Sequence, residues 1–410
     1  MRVLIVTQYF WPETFYLNDV VATLVKNGVQ VHVLTGKPNY PAGNVFQGYS
    51  AYGFQKEIWH GSNIVRVPLF PRGESSTWRL VFNYLSFALS ASIFGPWLLR
   101  GRQYDIVFAY GVSPILQAIP ALLLGRIKRC KVICWVQDLW PESLKATGYI
   151  RNQYVLNALR ILVSWIYRST DLLLIQSKAF LAPVKQLAPT IPVAYQPNSV
   201  DAIFTLPPAD SVSLPVIPAL DNGFSVVFAG NVGTAQGLEV IVEAAVRLAD
   251  NPEIRFVVIG HGSRWEWMNA QVKALGLRNL HLPGRFPISS IPGLLKKADA
   301  LLVTLSDDPI FTRTIPNKIQ AYLAVGRPIL ACLCGEGARV VDESRAGISV
   351  PHGDTDRFVA AVTQLFEMTT AQRAAMGALG RQYFLEHFEH EKLIQRMLKH
   401  FEMLTVRGRR

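Results

Sequence analysis

The chain has 410 residues, enough for two domains of about 200 residues each. Half of the residues are hydrophobic and 17% are charged, so the composition excludes a chain too polar to bury a core. Residues 1–200 contain 19 Lys and Arg against 8 Asp and Glu, whereas residues 201–410 contain 22 against 21. Nearly all of the net charge of +12 lies in the first half, which favours an anionic partner: nucleic acid, anionic lipid or a phosphorylated substrate.

Long uncharged segments interrupt the basic residues of this half. Leu80–Leu99 has no charged residue and reaches the length of a membrane span, although Asn83, Pro96 and three serines weaken that interpretation. Val155–Tyr167 and Ile115–Leu124 have a similar composition. We interpret these segments as helices of a soluble fold, some of which expose apolar and basic surface to a lipid interface; the alternative is plain core helices. Nucleic acid is therefore not the expected partner.

The start of the chain and its cysteines favour a cytoplasmic protein. Arg2 is followed by a short apolar strand that runs into Thr7 and Gln8, which is not the pattern of a signal peptide. The four cysteines have spacings without the accompanying ligands of a zinc site, so we expect reduced, structural thiols. His32 lies inside a predicted strand and is expected to be structural.

A strand, a helix and a second strand open the chain and predict a parallel, doubly wound sheet. They are Arg2–Val6, Phe15–Asn27, which Gly28 ends, and Gln30–Leu34. Further strands of a first domain, residues 1–205, are predicted at Ile64–Val67, Ile106–Ala109, Lys131–Val136, Leu172–Ile175 and Val193–Tyr195.

A Pro- and Ser-rich stretch, residues 206–222, predicts a linker, after which the pattern restarts. Strands are predicted at Phe224–Phe228, Arg255–Ile259, Leu280–Leu282, 300–305 and 328–333, and helices at 237–249, 263–275, 289–297, 316–325, 355–367, 370–386 and 389–404. The predicted fold is α/β, with two Rossmann-like doubly wound domains facing a central cleft. The second domain is predicted at 223–385, and 386–410 forms a C-terminal helix that could pack back towards the first domain.

Pro316–Leu330 is the most informative stretch. It predicts a helix that starts at Pro316, ends at Gly326 and leads into a buried strand. The polar loop Ser306–Thr314 precedes it and follows an apolar strand. A strand, an open loop and a helix N-terminus favour an anion, so a phosphorylated ligand is predicted here; the alternative is an ordinary crossover helix.

Other loops follow strands at the same predicted edge of the second sheet. Ala229–Leu238 is rich in glycine but lacks the G-x-G-x-x-G dinucleotide pattern, and a tight structural turn is its alternative. Gly260–Arg264 and Gly284–Pro287 follow the next two strands. The cations of this edge suit a diphosphate, and each alone is explained equally well as a solvated charge: Arg264, Arg285, Arg313 and Lys318.

Two loops of the first domain offer acceptor-binding groups. Asp138, in the loop after an apolar strand, is a candidate base or hydroxyl-orienting group, and it could equally cap a turn. The loop Lys37–Gly43 is rigid, aromatic and polar, which suits an acceptor-binding lid.

Together these motifs resemble a GT-B glycosyltransferase of the retaining glycosyltransferase family 4, over essentially the whole chain. A narrower resemblance, to WbuB-like transferases that add N-acetyl-L-fucosamine or related sugars in O-antigen and capsule assembly, rests on Phe10–Glu13, Asn18-Asp19, Val31–Gly36, Pro38–Gly43, Gln137–Ser143, Gly230–Leu238 and Pro316–Pro328. The resemblance implies a UDP-sugar donor held by the second domain. It also implies an undecaprenyl-diphosphate-linked acceptor on the first domain, at the cytoplasmic face of the inner membrane.

The resemblance assigns roles to individual residues. The uracil base of the donor is expected to bind near Arg285 and Phe286. The sugar is expected to bind beside the loop Asp307–Thr314, and the diphosphate at the N-terminus of the helix that Pro316 starts. The nucleotide-sugar set is Gly230, Asn231, Gly233, Gln236, Gly260, Arg264, Arg285, Phe286, Asp307, Thr312, Pro316, Asn317 and Gln320. The acceptor set is Glu13, Asn18, Asn39, Tyr40 and Trp140, and the catalytic set is Asp138, Arg313 and Lys318.

The chain departs from the family at four of these positions. Thr312 and Gln320 stand where many relatives have two glutamates, and Asn231 and Gln236 replace an arginine and a lysine. Neutralisation of the diphosphate would then fall to Arg313 and Lys318. Neither a metal nor another cofactor is expected, and a retaining front-face reaction is implied. The alternatives are a GT-B nucleotide-sugar 2-epimerase and a non-catalytic nucleotide-sugar- or lipid-binding component.

Overall fold

The central strands are runs of Val, Ile and Leu that are buried on both faces, as in parallel sheets covered by helices on both sides. The computed structural model describes residues 1–73, 77–146, 152–205 and 214–407. The chain divides into two units, Met1–Asn198 with His390–Arg410, and Ser199–Glu389. Residues 206–213 of the predicted linker, 206–222, lie outside the described residues.

The first unit contains an eight-stranded sheet in the order β3-β4-β2-β1-β5-β6-β7-β8. Its elements are β1 (Arg2–Val6), α1 (Tyr16–Lys26), β2 (Gln30–Thr35), β3 (Gln55–Trp59), β4 (Ser62–Arg66), α2 (Thr77–Leu98), β5 (Ile106–Gly111), α3 (Ala118–Lys128), β6 (Lys131–Val136), α4 (Glu142–Ala146), α5 (Gln153–Arg168), β7 (Leu172–Ile175), α6 (Leu181–Leu187) and β8 (Val193–Tyr195). All neighbouring strands are parallel except β3 and β4, which form an antiparallel hairpin.

The second unit contains a six-stranded parallel sheet in the order β11-β10-β9-β12-β13-β14. Its elements are α7 (Pro218–Asp221), β9 (Phe224–Asn231), α8 (Glu239–Arg247), β10 (Ile254–His261), α9 (Trp265–Ala274), β11 (Leu280–Gly284), α10 (Ile291–Lys297), β12 (Ala300–Thr304), α11 (Asn317–Val325), β13 (Ile329–Cys332), α12 (Glu336–Ser344), β14 (Gly347–Val350), α13 (Thr355–Glu367) and α14 (Thr370–His387). The predicted fold of two Rossmann-like α/β domains is confirmed.

Several details differ from the sequence prediction, among them the short helices α4, α6 and α7, of which α7 lies within the predicted linker. The edge strand β3 was not predicted, because its residues alternate between half-buried and exposed and include few aliphatic side chains. Pro316 does not start α11: its ψ of 133° is extended, so it precedes the first helical residue, Asn317. The prediction also lacked α12 and β14, which are short and largely polar or half-buried.

The last helix, α15 (His390–Arg407), belongs to the first unit and covers the α1 side of its sheet. Ile394, Met397 and Phe401 are fully buried there. The His390 ring joins this helix to α1, with Nδ1 3.1 Å from the Tyr16 hydroxyl and Nε2 2.8 Å from the Thr23 hydroxyl. The opposite side of the sheet packs against α2, α3, α5 and α6.

Arg66 ties the loops at the carboxyl edge of this sheet together. Its fully buried guanidinium pairs with Glu57 of β3 and donates to the Gly36 carbonyl at 3.0 Å and to the Trp11 carbonyl. It also lies over the Tyr49 ring, 5.1 Å from its centroid. Three loops therefore depend on one buried charge.

Replacing Arg66 with Met should lower the free energy of unfolding of the first unit by about 3–5 kcal/mol, because it removes the cation paired with Glu57 and the donor of two carbonyls. Urea unfolding followed by circular dichroism measures the loss. Arg126→Met, at an exposed position of α3, is the control and should change stability by less than about 0.5 kcal/mol. Equal stabilities of the two variants would contradict the assigned role.

Candidate functional site in the second unit

The candidate site lies at the carboxyl edge of the second sheet, where the strand order reverses. From β9 the chain proceeds through α8 to β10 on one side, while β12 pairs with β9 on the other side. Ligands of open α/β sheets bind at such switch points. The loops after β9 and β12 meet here, since the Ser306 N–H donates to the Ala235 carbonyl at 2.9 Å.

Glycines at the ends of β9 and β10 allow a close backbone approach. Gly230 has a φ of 141°, and a Cβ built on it would lie 2.7 Å from Cε of Lys318. Gly260 has a φ of 140°, and its Cβ would lie 1.8 Å from the Gly230 carbonyl oxygen. The strand β9 extends through Asn231, so the predicted glycine loop is shorter than its sequence suggests. Asn231 is exposed and Gly233 is buried against it.

Lys318 is the central cation of this edge. Its ammonium nitrogen lies 3.6 Å from the centroid of Phe228 and donates to the side-chain carbonyl of Gln236. Within the described part of the chain, no carboxylate lies within ion-pair distance of it. Burial lowers the pKa of Lys318 to about 7. An anion placed here would restore the ammonium form, which Gln236 alone cannot do because it is neutral.

The helix α11 presents its N-terminal amides at the same edge. Tyr322 anchors it to β9, because its hydroxyl accepts a hydrogen bond from the Ala229 N–H at 3.1 Å. Asn317 is exposed at the helix start, whereas Gln320 is only 2% exposed. The predicted contact of Gln320 with the nucleotide-sugar stays a prediction.

The loop between β12 and α11 is fixed by backbone contacts. Asp308 closes it, with its side chain accepting from the Ile310 N–H at 2.9 Å. The Thr312 carbonyl accepts from the Glu336 N–H at 2.7 Å, and it lies so close to Gly335 that a Cβ there would be 1.9 Å away. Thr312 thus anchors the loop through its backbone.

The other residues predicted to bind the nucleotide-sugar differ in whether their side chains already have partners within the protein. Asp307 and Arg285 are exposed, Arg313 is half-buried, and neither arginine forms an ion pair with a described residue. The Arg264 guanidinium forms an ion pair with Glu239 and lies 3.9 Å from the centroid of the Trp267 ring, so it already has partners within the protein. Phe286 lines an open cavity of about 610 Å³ together with Ile217, Arg255 and His281.

In the first unit, Asp138 belongs to a hydrogen-bonded group with Ser113 and Trp140. Its carboxylate accepts from the Ser113 N–H at 2.9 Å and from the Ser113 hydroxyl at 3.0 Å. The Trp140 indole donates to the same hydroxyl at 2.9 Å, and its ring is 4% exposed within the core. Burial raises the pKa of Asp138, and the two donors of Ser113 partly oppose that rise.

The predicted acceptor residues near β1 mostly hold backbone. Glu13 accepts from the N–H groups of Asn39 and Tyr40, both at 2.8 Å, and burial raises its pKa to about 7 despite its amide donors. The side chain of Asn18 bonds to backbone of its own loop, and that of Asn39 donates to the Lys37 carbonyl and accepts from the Arg72 N–H of another loop. Tyr40 is different: its half-buried ring packs against Phe15 at 5.2 Å.

Sequence reasoning did not single out several groups that shape these edges. Phe228 and Tyr322 fall in ordinary strand and helix patterns, so nothing marked them as partners of Lys318 and Ala229. Gly335 had a usable sequence signal, because glycine adopts a positive φ most readily, and its φ here is 78°. Among the described residues, no group of three His, Cys, Asp or Glu side chains is placed to hold a metal ion.

Comparison with known families agrees with this geometry. The model of the glycosyl transferase 4-like domain matches residues 14–199, and the model of glycosyl transferases group 1 matches residues 223–368. The chain carries the two domains of a glycosyltransferase. The switch-point loops and Lys318 of this transferase all fall within the group 1 domain.

Three known proteins resemble the transferase over most of its length. A putative colanic acid biosynthesis glycosyl transferase, WcaI, of Escherichia coli K12 is 27% identical over 76% of this chain and 77% of its own. The structure of sucrose-phosphate synthase from Thermosynechococcus elongatus is similar with a TM-score of 0.72, 14% identity and 99% of both chains covered. Anabaena HepE in complex with UDP has a TM-score of 0.69, 14% identity, and coverage of 98% and 100%. These structures support the GT-B fold.

Anion binding at Lys318, with UDP as the probe, should weaken as the pH rises above about 7. Below the pKa of Lys318 the ammonium is present in the free protein, and above it the anion must first restore the lost proton. The steepest expected loss is about tenfold per pH unit between pH 7 and 9, where the terminal phosphate of UDP stays ionised. Isothermal calorimetry measures it.

Lys318→Arg should flatten this dependence, because a guanidinium stays charged throughout the range. Lys273→Arg, at an exposed position of α9, is the matched control and should retain it. A wild-type affinity that does not change with pH would refute the assignment of Lys318.

Proposed function

We propose that this protein transfers a sugar from a UDP-sugar to an acceptor linked to undecaprenyl diphosphate, in the assembly of a bacterial surface polysaccharide. The observation that carries the proposal is Lys318. A half-buried cation in the first turn of α11, at a switch point and beside the glycine end of β9, suits the diphosphate of a nucleotide-sugar.

The donor side of the proposal is supported by the distribution of charge around this edge. The α11 amides and Lys318 supply positive charge where the chain has neutral Asn231 and Gln236 in the loop after β9. Arg313, in the neighbouring loop, is the second candidate cation. Both would stabilise the negative charge that develops on the departing UDP, and stabilisation of developing charge usually contributes most to catalysis in such a site.

UDP is the proposed nucleotide, because HepE of similar fold was solved with UDP. Surface polysaccharide assembly is proposed from the similarity to WcaI, a putative colanic acid transferase. The resemblance to WbuB-like transferases suggests N-acetyl-L-fucosamine or a related amino or deoxy sugar as the transferred group.

The acceptor side is proposed for the first unit. Its basic charge suits a lipid-linked diphosphate, and the expected location is the cytoplasmic face of the inner membrane. Asp138 is proposed to orient the acceptor loop through Ser113 and Trp140. The Ser113 N–H and hydroxyl both donate to Oδ2 of Asp138, so that oxygen holds the loop, and Oδ1 stays the candidate base.

The proposed reaction retains the anomeric configuration by front-face attack. The bond between the sugar C1 and the UDP oxygen breaks as the acceptor hydroxyl bonds to C1 on the same face, and the proton of that hydroxyl passes to the departing diphosphate. No protein nucleophile and no metal takes part in this scheme. Lys318 and Arg313 would act on the diphosphate alone.

Purified protein should release UDP from a UDP-N-acetylhexosamine only when undecaprenyl-diphosphate-GlcNAc is present, with a matching sugar-extended lipid. Lys318→Ala should lower kcat on the order of 100-fold, because it removes a cation that acts on the leaving group. Coupled detection of UDP and mass spectrometry of the lipid measure the two products.

Lys273→Ala, which removes an exposed lysine of α9, should leave kcat unchanged, and a melting curve checks that each variant is folded. Conversion of the UDP-sugar without lipid would favour the epimerase alternative. Binding of UDP without turnover of any donor would favour a non-catalytic component.

A further inference from the structure

The helix α2 lies on the surface of the first unit with one face firmly buried. Asn83, Phe87 and Ala91 are fully buried on that face. The Asn83 amide donates to the Phe70 carbonyl at 2.7 Å, and its side-chain carbonyl accepts from the Gln8 amide at 2.6 Å. The helix is therefore tied to the sheet by apolar packing and by buried hydrogen bonds.

The outward face of the same helix is almost entirely apolar. Its large side chains recur every three or four residues, so they form one continuous stripe along the helix. We call this the α2 stripe; its members, each between 43% and 64% exposed, are Trp78, Val81, Phe82, Leu85, Leu89, Ile93 and Trp97. Exposed apolar surface of this extent marks an interaction site.

The helices beside α2 continue the apolar surface. The outer faces of α3 and α5, which pack on the same side of the sheet, carry Leu123, Ile127, Tyr154, Val155, Ile161 and Trp165 as exposed apolar side chains. On the opposite side, α1 contributes no exposed large apolar residue and α15 contributes Met403, within the described part of the chain. Among the described helices of the unit, the exposed apolar area thus belongs mainly to one layer, while the edge strand β3 and the loop before it add Tyr52, Phe54 and Ile58.

Cations and tryptophans mark both ends of the α2 stripe. The Arg79 guanidinium lies 5.8 Å from the Trp78 ring, and Arg100 lies 5.7 Å from the Trp97 ring. The helix contains no Asp or Glu, and neither arginine forms an ion pair with a described residue. Tryptophan and arginine at the ends of an apolar stretch are typical of segments at the boundary between lipid tails and headgroups.

We infer that the α2 stripe is a lipid-binding surface, and that α2 lies flat in the headgroup region of an anionic membrane with Arg79 and Arg100 at the level of the phosphates. By length and composition the segment Trp78–Leu98 could also cross a membrane. Its buried face argues against that, because crossing would remove Asn83 from its partners and Phe87 from the core. The basic excess of residues 1–200 selects an anionic lipid surface over an apolar protein partner.

This inference deepens the proposed function, since a lipid-linked acceptor lies in the membrane, but its test needs neither donor nor acceptor. The full chain is mixed with phosphatidylcholine vesicles, with or without phosphatidylglycerol, and separated by flotation. We expect binding to the anionic vesicles that weakens at high salt. The double variant Leu89→Glu/Ile93→Glu should lose affinity on the order of 100-fold, because both side chains leave the lipid phase.

Leu275→Glu is the matched control: the leucine is 51% exposed at the end of α9, and its replacement should leave vesicle binding unchanged. Circular dichroism checks that both variants are folded. Wild-type binding by the double variant would overturn the inference. Retention of the wild type in vesicles after alkaline carbonate extraction would show a spanning helix instead, and a dimer in solution that the double variant abolishes without vesicle binding would show a protein interface. None of these outcomes bears on the assay of UDP release, so the proposed sugar transfer is tested separately.

Discussion

The interaction of Lys318 with Phe228 and Gln236 constrains the binding edge of the second unit. An ammonium group loses hydration when it is buried, and here a ring face and a neutral amide replace only part of what water supplied. The arrangement persists because the backbone around it is fixed. Gly230 leaves room for the lysine stem, and Tyr322 holds α11 against β9. The site is thus preorganised for an anion before any ligand arrives.

The two units use their polar edge residues in opposite ways. In the first unit Glu13 accepts hydrogen bonds from three backbone N–H groups, and Asp138 accepts two from Ser113, so both carboxylates hold loops in place. In the second unit Lys318 has a neutral partner, and Arg313 forms no ion pair with a described residue. A carboxylate whose oxygens already accept hydrogen bonds from loop amides has little capacity left for a substrate group, whereas a preorganised cation needs no reorganisation to receive an anion. Residues that the sequence marks equally well as candidates for a functional site therefore differ in the chemistry they can perform.

The sequence predicted the parallel sheets well because buried β-strands such as Lys131–Val136 are almost uninterrupted apolar runs. The ends of several strands were also predicted well, because glycines mark them. It did less well where structure depends on partners distant in the chain. The hairpin β3–β4 turns at His60 and Gly61, both of which have a positive φ. Gly61 alone was too short a sequence signal to predict the hairpin, because the strand β3 beside it has only a weak apolar pattern. Nothing local reveals that Thr312 acts through its carbonyl, or that Trp140 is buried, because both facts depend on loops from other strands.

The exposed face of α2 shows why composition alone left this segment ambiguous. A core helix, a membrane span and an interfacial helix share the same apolar content, and they differ only in which faces the rest of the fold covers. Asn83 decides between them: a hydrogen-bonded amide at full burial fixes one face to the sheet, which leaves the Trp and Leu side chains of the other face to water or lipid. Since water is unfavourable for so large an apolar area, and Arg79 and Arg100 at its ends suit anionic headgroups, lipid is the environment that the outward face requires while the buried face keeps its contacts with the sheet.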